Sequence, residues 1–103
     1  MKNTYSTTMV TISAKLTFDI AHLPSVNERR QVIGNLITKT RQRFNVSVVK
    51  ISTESKYQMS IGVAVISGEV ELAKRSLDEI IRFMEEHANA DLLEVKVEHS
   101  YIQ

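Results

Sequence analysis

The side chains able to do chemistry are few and scattered. His22, His87 and His99 are the three histidines, and they fall in different parts of the chain. None has the close spacing with other ligand types that lets one element present several donors to an ion, and no orienting partners accompany them. No metal or cofactor is expected. Asp19 and His22 are near enough to make an acid–base pair, but an ordinary strand-end carboxylate beside a loop histidine fits the same spacing. Ser67–Gly68 precedes a helical pattern, where free backbone N–H groups can hold anions. Glu69 and Glu71 would repel a phosphate there, and the glycine-rich loop is absent. With no cysteine in the chain, thiolate catalysis, thiolate metal sites and disulfides are excluded together. The residues point to a protein that is not an enzyme.

The charged residues say more. From Arg29 to Lys50 there are six cations (Arg29, Arg30, Lys39, Arg41, Arg43 and Lys50) and no acid, although the net charge of the chain is only +1. From Glu69 to Glu98 there are nine acids and four cations. Such segregation suits an anionic partner or self-association, and it also suits a plain solvated face. Projected at about 100° per residue, Lys39 and Arg43 flank one side of a helical apolar stripe and Arg30 and Arg41 the other, while Arg29 points near the stripe itself. Two basic rails of this kind could follow phosphates. Their stems could equally cover the edge of a core. Arg41 and Arg43, in a last helical turn, would also gain about 0.3–1 kcal/mol from the helix dipole. The candidate nucleic-acid contacts are Arg30, Lys39, Arg41, Arg43 and Lys50.

The elements that must position these residues can be read from periodicity. Residues 1–8 are polar and are expected to form a flexible segment before a single domain over residues 9–103. Val10, Ile12, Ala14, Leu16, Phe18 and Ile20 alternate with polar neighbours, which predicts a strand buried on one face. Ser25 and Glu28 form a capping box, and Ile33, Leu36, Ile37, Thr40 and Phe44 continue at helical spacing. Gly34 weakens that helix by about 1 kcal/mol against alanine, which close packing would explain. Asn45 stands just past the end, where a left-handed conformation is common. Residues 46–51 and 57–65 read as a strand pair around the turn STESK. A second helix comes after Gly68, with Val70, Ala73, Leu77, Ile80, Ile81 and Met84 as its stripe, and Leu93, Val95, Val97, His99 and Tyr101 alternate as a last strand. This strand–helix–strand–strand–helix–strand order is the ferredoxin-like split βαβ arrangement, α+β, with two helices on one face of a four-stranded antiparallel sheet. Val10, Ile12, Leu16, Ile33, Ile37, Ile61, Val63, Val65, Leu77 and Ile81 should then share one core.

SVNERRQVIGNLI and RQRFNVSV, with IGVAVIS and the helix after it, resemble the YlxP-like family, a small bacterial domain of unknown function. The likeness extends from about Ile12 to Val97, and Arg43 to Val48 is its most distinctive piece. The resemblance implies a ferredoxin-like fold. Members are often encoded beside translation and ribosome-assembly genes, so it also implies RNA or ribosome association, and no enzymatic activity is established for them. This chain departs from the pattern in three places. Pro24 directly precedes Ser25, Asn27 and Gln31 occupy commonly basic positions, and Thr53 and Tyr57 stand where a histidine and a tryptophan are usual.

Two functional classes are compatible with these residues. In the first, the basic helix binds RNA by shape and backbone, since Tyr57 alone does not make the stacking platform of an RNA-recognition motif. In the second, the chain is a homodimeric interaction module. Its contact surface would be the small open sheet face of Ser13, Ser60, Gly62 and Ala64, or an exposed apolar patch of Leu72 with Phe83. The apolar share of 43% and charged share of 24% over 103 residues are those of one soluble globular domain. The opening MKNTYSTTMV lacks the apolar core of a secretion signal, and no apolar run approaches the roughly 20 residues of a membrane span. A cytoplasmic location is expected.

Overall fold

The computed structural model of the chain describes residues 8–103. All but the last residue of the segment expected to be flexible lies outside the described residues. The elements are β1 (Met9–Asp19), α1 (Val26–Arg43), β2 (Ser47–Ile51), β3 (Gln58–Ser67), α2 (Val70–His87) and β4 (Asp91–Ile102). The strands form one sheet in the order β2-β3-β1-β4, with every neighbouring pair antiparallel. This is the ferredoxin-like split βαβ topology.

Alternation places the core. On β1, Val10, Ile12, Leu16 and Phe18 have no exposed surface, and their register partners on β3 include Val65, Ile61 and Met59, which are also buried. Both helices pack on this face, giving one core that contains Ile33 and Leu36 of α1 and Ala73, Leu77, Ile80 and Met84 of α2. Of the ten residues expected to share it, eight are buried, and Ile37 and Ile81 pack against it half-buried.

The helices do not cover the sheet evenly. α1 packs on β2 and α2 on β1 and β3. Arg41, in the last turn of α1, reaches the Val48 carbonyl, and Val48 lies opposite Val63. α1 therefore ends at mid-sheet, and the Val65–Ser67 end of β3 is left to α2 alone. β4 lies beyond both helices. Its Val97 and Tyr101 share the helix-bearing side with Ala14 and Val10, yet they are 47% and 54% exposed.

Two local expectations are corrected. α1 leaves through Phe44 in an extended conformation, its N–H donating to the Thr40 carbonyl at 3.0 Å. Asn45 has no left-handed conformation, and among the described residues only Asn89, after α2, has a positive φ, of 52°. Gly34 is not a close-packing site either, because a Cβ built there meets nothing within 4 Å.

Candidate nucleic-acid interface

In this topology the connection from β1 to α1 and the turn from β2 to β3 leave the sheet at the same end. The first turns of α1 and the β2–β3 turn are thus neighbours, and both carry cations. Ser25 caps α1, its Oγ accepting the Glu28 N–H at 3.1 Å, which is the hydroxyl half of the capping box. That start sets Arg29 and Arg30 on the turn facing the hairpin. Across the gap, Lys50 lies in the last part of β2 and Lys56 in the turn. The turn is tied down by its own side chains. The Thr53 hydroxyl lies 2.7 Å from the Ser55 carbonyl and 3.1 Å from that of Gln58, and Ser55 Oγ accepts the Tyr57 N–H at 3.2 Å. The Tyr57 carbonyl accepts the Ile20 N–H at 2.8 Å, joining the turn to the end of β1.

Between these walls is a cleft of about 250 Å³. Ile20, Ile33 and Met59 form its apolar floor, Arg29, Arg30, Lys50 and Lys56 surround it, and Ser52, Thr53 and Gln58 add polar side chains. No acidic residue is among those lining it. Arg29 is held in place: its Nε donates to the Leu23 carbonyl at 3.1 Å, and its guanidinium lies 5.6 Å from the centre of the Tyr57 ring. Lys56 Nζ lies 5.3 Å from the same ring centre. Nε is used, so the two terminal nitrogens of Arg29 remain for a ligand, in the planar fork that suits phosphate oxygens.

The five expected contacts do not stay together. Arg30 and Lys50 line the cleft. Arg41 is a structural side chain, its Nη2 donating to the Val48 carbonyl at 2.8 Å and fastening α1 to β2. Arg43 turns the other way, 5.0 Å from the Phe44 ring centre, in a hollow shared with Glu79, Arg82 and Glu86, where two acids balance the two cations. Lys39 is exposed and lies on the Arg43 flank. The two rails therefore diverge, one over β2 and one toward α2. Arg29 and Lys56 are the residues that helical projection passed over. Topology could have found them, because it brings the β1–α1 and β2–β3 connections to one end of the sheet.

The open sheet face is also less open than its small residues suggest. Ser60 is buried and shares a hydrogen bond of 2.8 Å with Thr17 Oγ1. A Cβ at Gly62 would lie 3.0 Å from Ile51 Cδ1 and 3.2 Å from Val49 Cγ1, so β2 side chains already fill that space. Ser13 and Ala64 are half-buried and line, with Lys15 and Lys96, a shallow hollow of about 510 Å³. Leu72 and Phe83 form no joint patch. They are eleven residues apart, about 16 Å along the axis at 1.5 Å per residue, and Phe83 is engaged. Its ring meets Phe44 edge-on at 5.3 Å and stacks on His87 at 4.1 Å. Leu72 remains 46% exposed because α1 stops short of it.

The other polar candidates have local tasks. Asp19 Oδ1 accepts the Ala21 N–H at 2.8 Å, His22 Nε2 lies 3.0 Å from the Asn89 carbonyl, and Ser67 Oγ accepts the Glu69 N–H at 3.0 Å. Among the described residues no three His, Cys, Asp or Glu converge on a point that could hold a metal ion, and no helix is long and apolar enough to cross a membrane.

Known proteins resemble the chain in sequence and in structure. The chain is similar to the uncharacterized protein YlxP of Bacillus subtilis (strain 168), 27% identical over 62 residues, or 59% of this chain and 67% of that protein. Among solved structures it is similar to the de novo designed protein Foldit4, with a TM-score of 0.50, 16% identity, and coverage of 89% of this chain and 96% of that one. It is also similar to the de novo designed protein LFR1 1 with ferredoxin fold, with a TM-score of 0.48, 15% identity, and coverage of 92% and 85%. At such identities a structural likeness concerns the fold alone. Residues 11–97, from β1 into β4, match the family described as "Protein of unknown function (DUF503)", and the chain belongs to that family.

Proposed function

We propose that this protein is a non-enzymatic, cytoplasmic RNA-binding module that takes the sugar–phosphate backbone of RNA, free or within the ribosome, in the cleft between α1 and the β2–β3 turn. One observation carries the reading: Arg29, Arg30, Lys50 and Lys56 surround a single cleft whose lining contains no acid. Four cations brought together in this way repel one another, and an anion relieves that repulsion. The apolar floor and the exposed Tyr57 at the rim suit a sugar or base beside the phosphate, without sequence-specific readout.

The test is fluorescence anisotropy of a labelled single-stranded RNA and a labelled RNA hairpin, titrated with protein at several salt concentrations. Wild-type binding should weaken steeply with salt. The R30Q/K50Q/K56Q variant should flatten the salt dependence by about two units, at roughly 0.7 per phosphate contact to a single strand. The K39Q/R43Q variant should leave it unchanged, although it removes nearly as much charge. Absence of wild-type binding at low salt, or equal losses in the two variants, would sink the proposal.

A further inference from the structure

The sheet has two edges, and one is long. β2 has five residues and β4 has twelve. An edge strand offers unpaired N–H and C=O groups to any passing strand, and proteins usually blunt it with charge, bulges, proline or a covering element. β4 is bulged only near its start, where Leu93 is the extra residue opposite Thr17 and Phe18. From Glu94 to Ile102 it is regular and has neither proline nor glycine. No helix covers it, and Val97, Tyr101 and Ile102 are 47%, 54% and 59% exposed. Its guards are Glu94, Lys96 and Glu98, which share the open face with Thr17, Lys15 and Ser13.

Those guards complement one another across a two-fold axis. If β4 is laid antiparallel against a second copy with Val97 on the axis, Lys96 faces Glu98 of the second copy and Glu98 faces its Lys96. Val95 then faces His99, Glu94 faces Ser100, and the two Val97 side chains meet. Opposite charges and apolar side chains in facing positions are the stabilising pairs of a sheet. Other axes fail. Centring on Lys96 sets lysine against lysine and Glu94 against Glu98, and centring on Glu98 sets glutamate against itself. Centring on Val95 runs the pairing through the Leu93 bulge. Within one chain Lys96 lies directly opposite Lys15, and the anion beside it, Glu94 at 3.5 Å, is well exposed. Glu98 of a second copy would supply another.

We infer that β4 pairs with β4 of a second copy about a two-fold axis at Val97, making one eight-stranded antiparallel sheet with both helical layers on the same side. Such an interface is mostly one strand deep, smaller than the roughly 1,600 Å² of a standard stable complex, so the association is weak and concentration-dependent.

The test is sedimentation equilibrium from micromolar to millimolar protein on the wild type, K96E, the K96E/E98K swap and A64R. K96E sets glutamate against glutamate twice and should weaken association at least about ten-fold. It also removes the Lys15–Lys96 repulsion, so its urea midpoint should not fall, and lost association cannot be put down to unfolding. The double swap restores both pairs with reversed sign and should recover association to within about three-fold of the wild type. The wild-type dimer should survive A64R, which lies on β3, two strands in from the β4 edge. V97C, the sole cysteine in its chain, should form a disulfide dimer on mild oxidation, whereas V49C should not. A wild type monomeric at 1 mM, a dimer indifferent to K96E, a swap that does not recover, or a dimer broken by A64R would each overturn the inference.

Discussion

The two edges of the sheet carry the same apolar alternation and end in opposite circumstances. On β2, Val48 is buried beneath α1 and its carbonyl is held by Arg41. On β4, Val97 and Tyr101 lie on the same side of the sheet and stand half in water. The difference is made by what lies above. α1 sits on β2 and α2 on the two central strands, so β4 has no roof beyond Val95, which packs partly buried against the core. Alternation decides which side chains share a face, and the lateral placement of the helices decides whether that face is dry. The charges differ in the same way. Four cations line the cleft beside the end of β2 with no acid among its lining residues, whereas along β4 Glu94, Lys96 and Glu98 alternate in sign, with Lys96 beside Glu94 at 3.5 Å.

The contrast can be broken most sharply in the core. Leu16→Ala, at a site with no exposed surface, should cost about 2–5 kcal/mol in urea unfolding. A smaller loss would mean that the roof over β1 is looser than the packing indicates. Arg41→Gln should cost about 1 kcal/mol, because it removes a hydrogen bond from an exposed cation to the β2 carbonyl. RNA affinity should be unchanged, separating the arginine that fastens α1 to β2 from those that face the cleft. Gly34→Ala should raise stability by about 0.5–1 kcal/mol, since the helix gains propensity and the new methyl meets nothing. Smallest of all, Val97→Ala in dilute protein should shift the unfolding midpoint by less than about 0.5 kcal/mol, the usual range for a surface substitution. A larger loss there would mean that β4 is covered even in the monomer.

Much of the fold was legible in the sequence because its signals are local. Eleven residues of strict alternation specify β1, the Ser25–Glu28 pair specifies the start of α1, and the spacing of Ala73, Leu77, Ile80 and Met84 specifies the buried face of α2. Ser60 lies on the expected sheet face but is buried there, covered by Thr17 on one neighbouring strand and Ile51 opposite it on the other. Phe83 was misplaced because its cover, Phe44, lies on a different helix. The candidate cleft was legible by half. Arg30 and Lys50 were found from charge alone. Helical projection sets Arg29 near the apolar stripe, and the Leu23 carbonyl and the Tyr57 ring hold it at the rim, while Lys56 acquires meaning only once the hairpin stands beside α1. The exposure of β4 is written nowhere in β4, since it depends on how far the helices reach.

The tethering of Arg29 has a consequence for how the cleft would recognise anything. A free arginine side chain gives up about 1.5–2 kcal/mol of rotamer freedom when it is ordered. Arg29 has already given it up in folding, with Nε on the Leu23 carbonyl and the guanidinium against Tyr57. Its partners in the cleft, Arg30 and Lys50, are exposed side chains that would still have to be ordered. Recognition would therefore begin at one rigid fork and be completed by flexible arms. Such a site takes the same first phosphate each time and tolerates variety in the nucleotides beyond it.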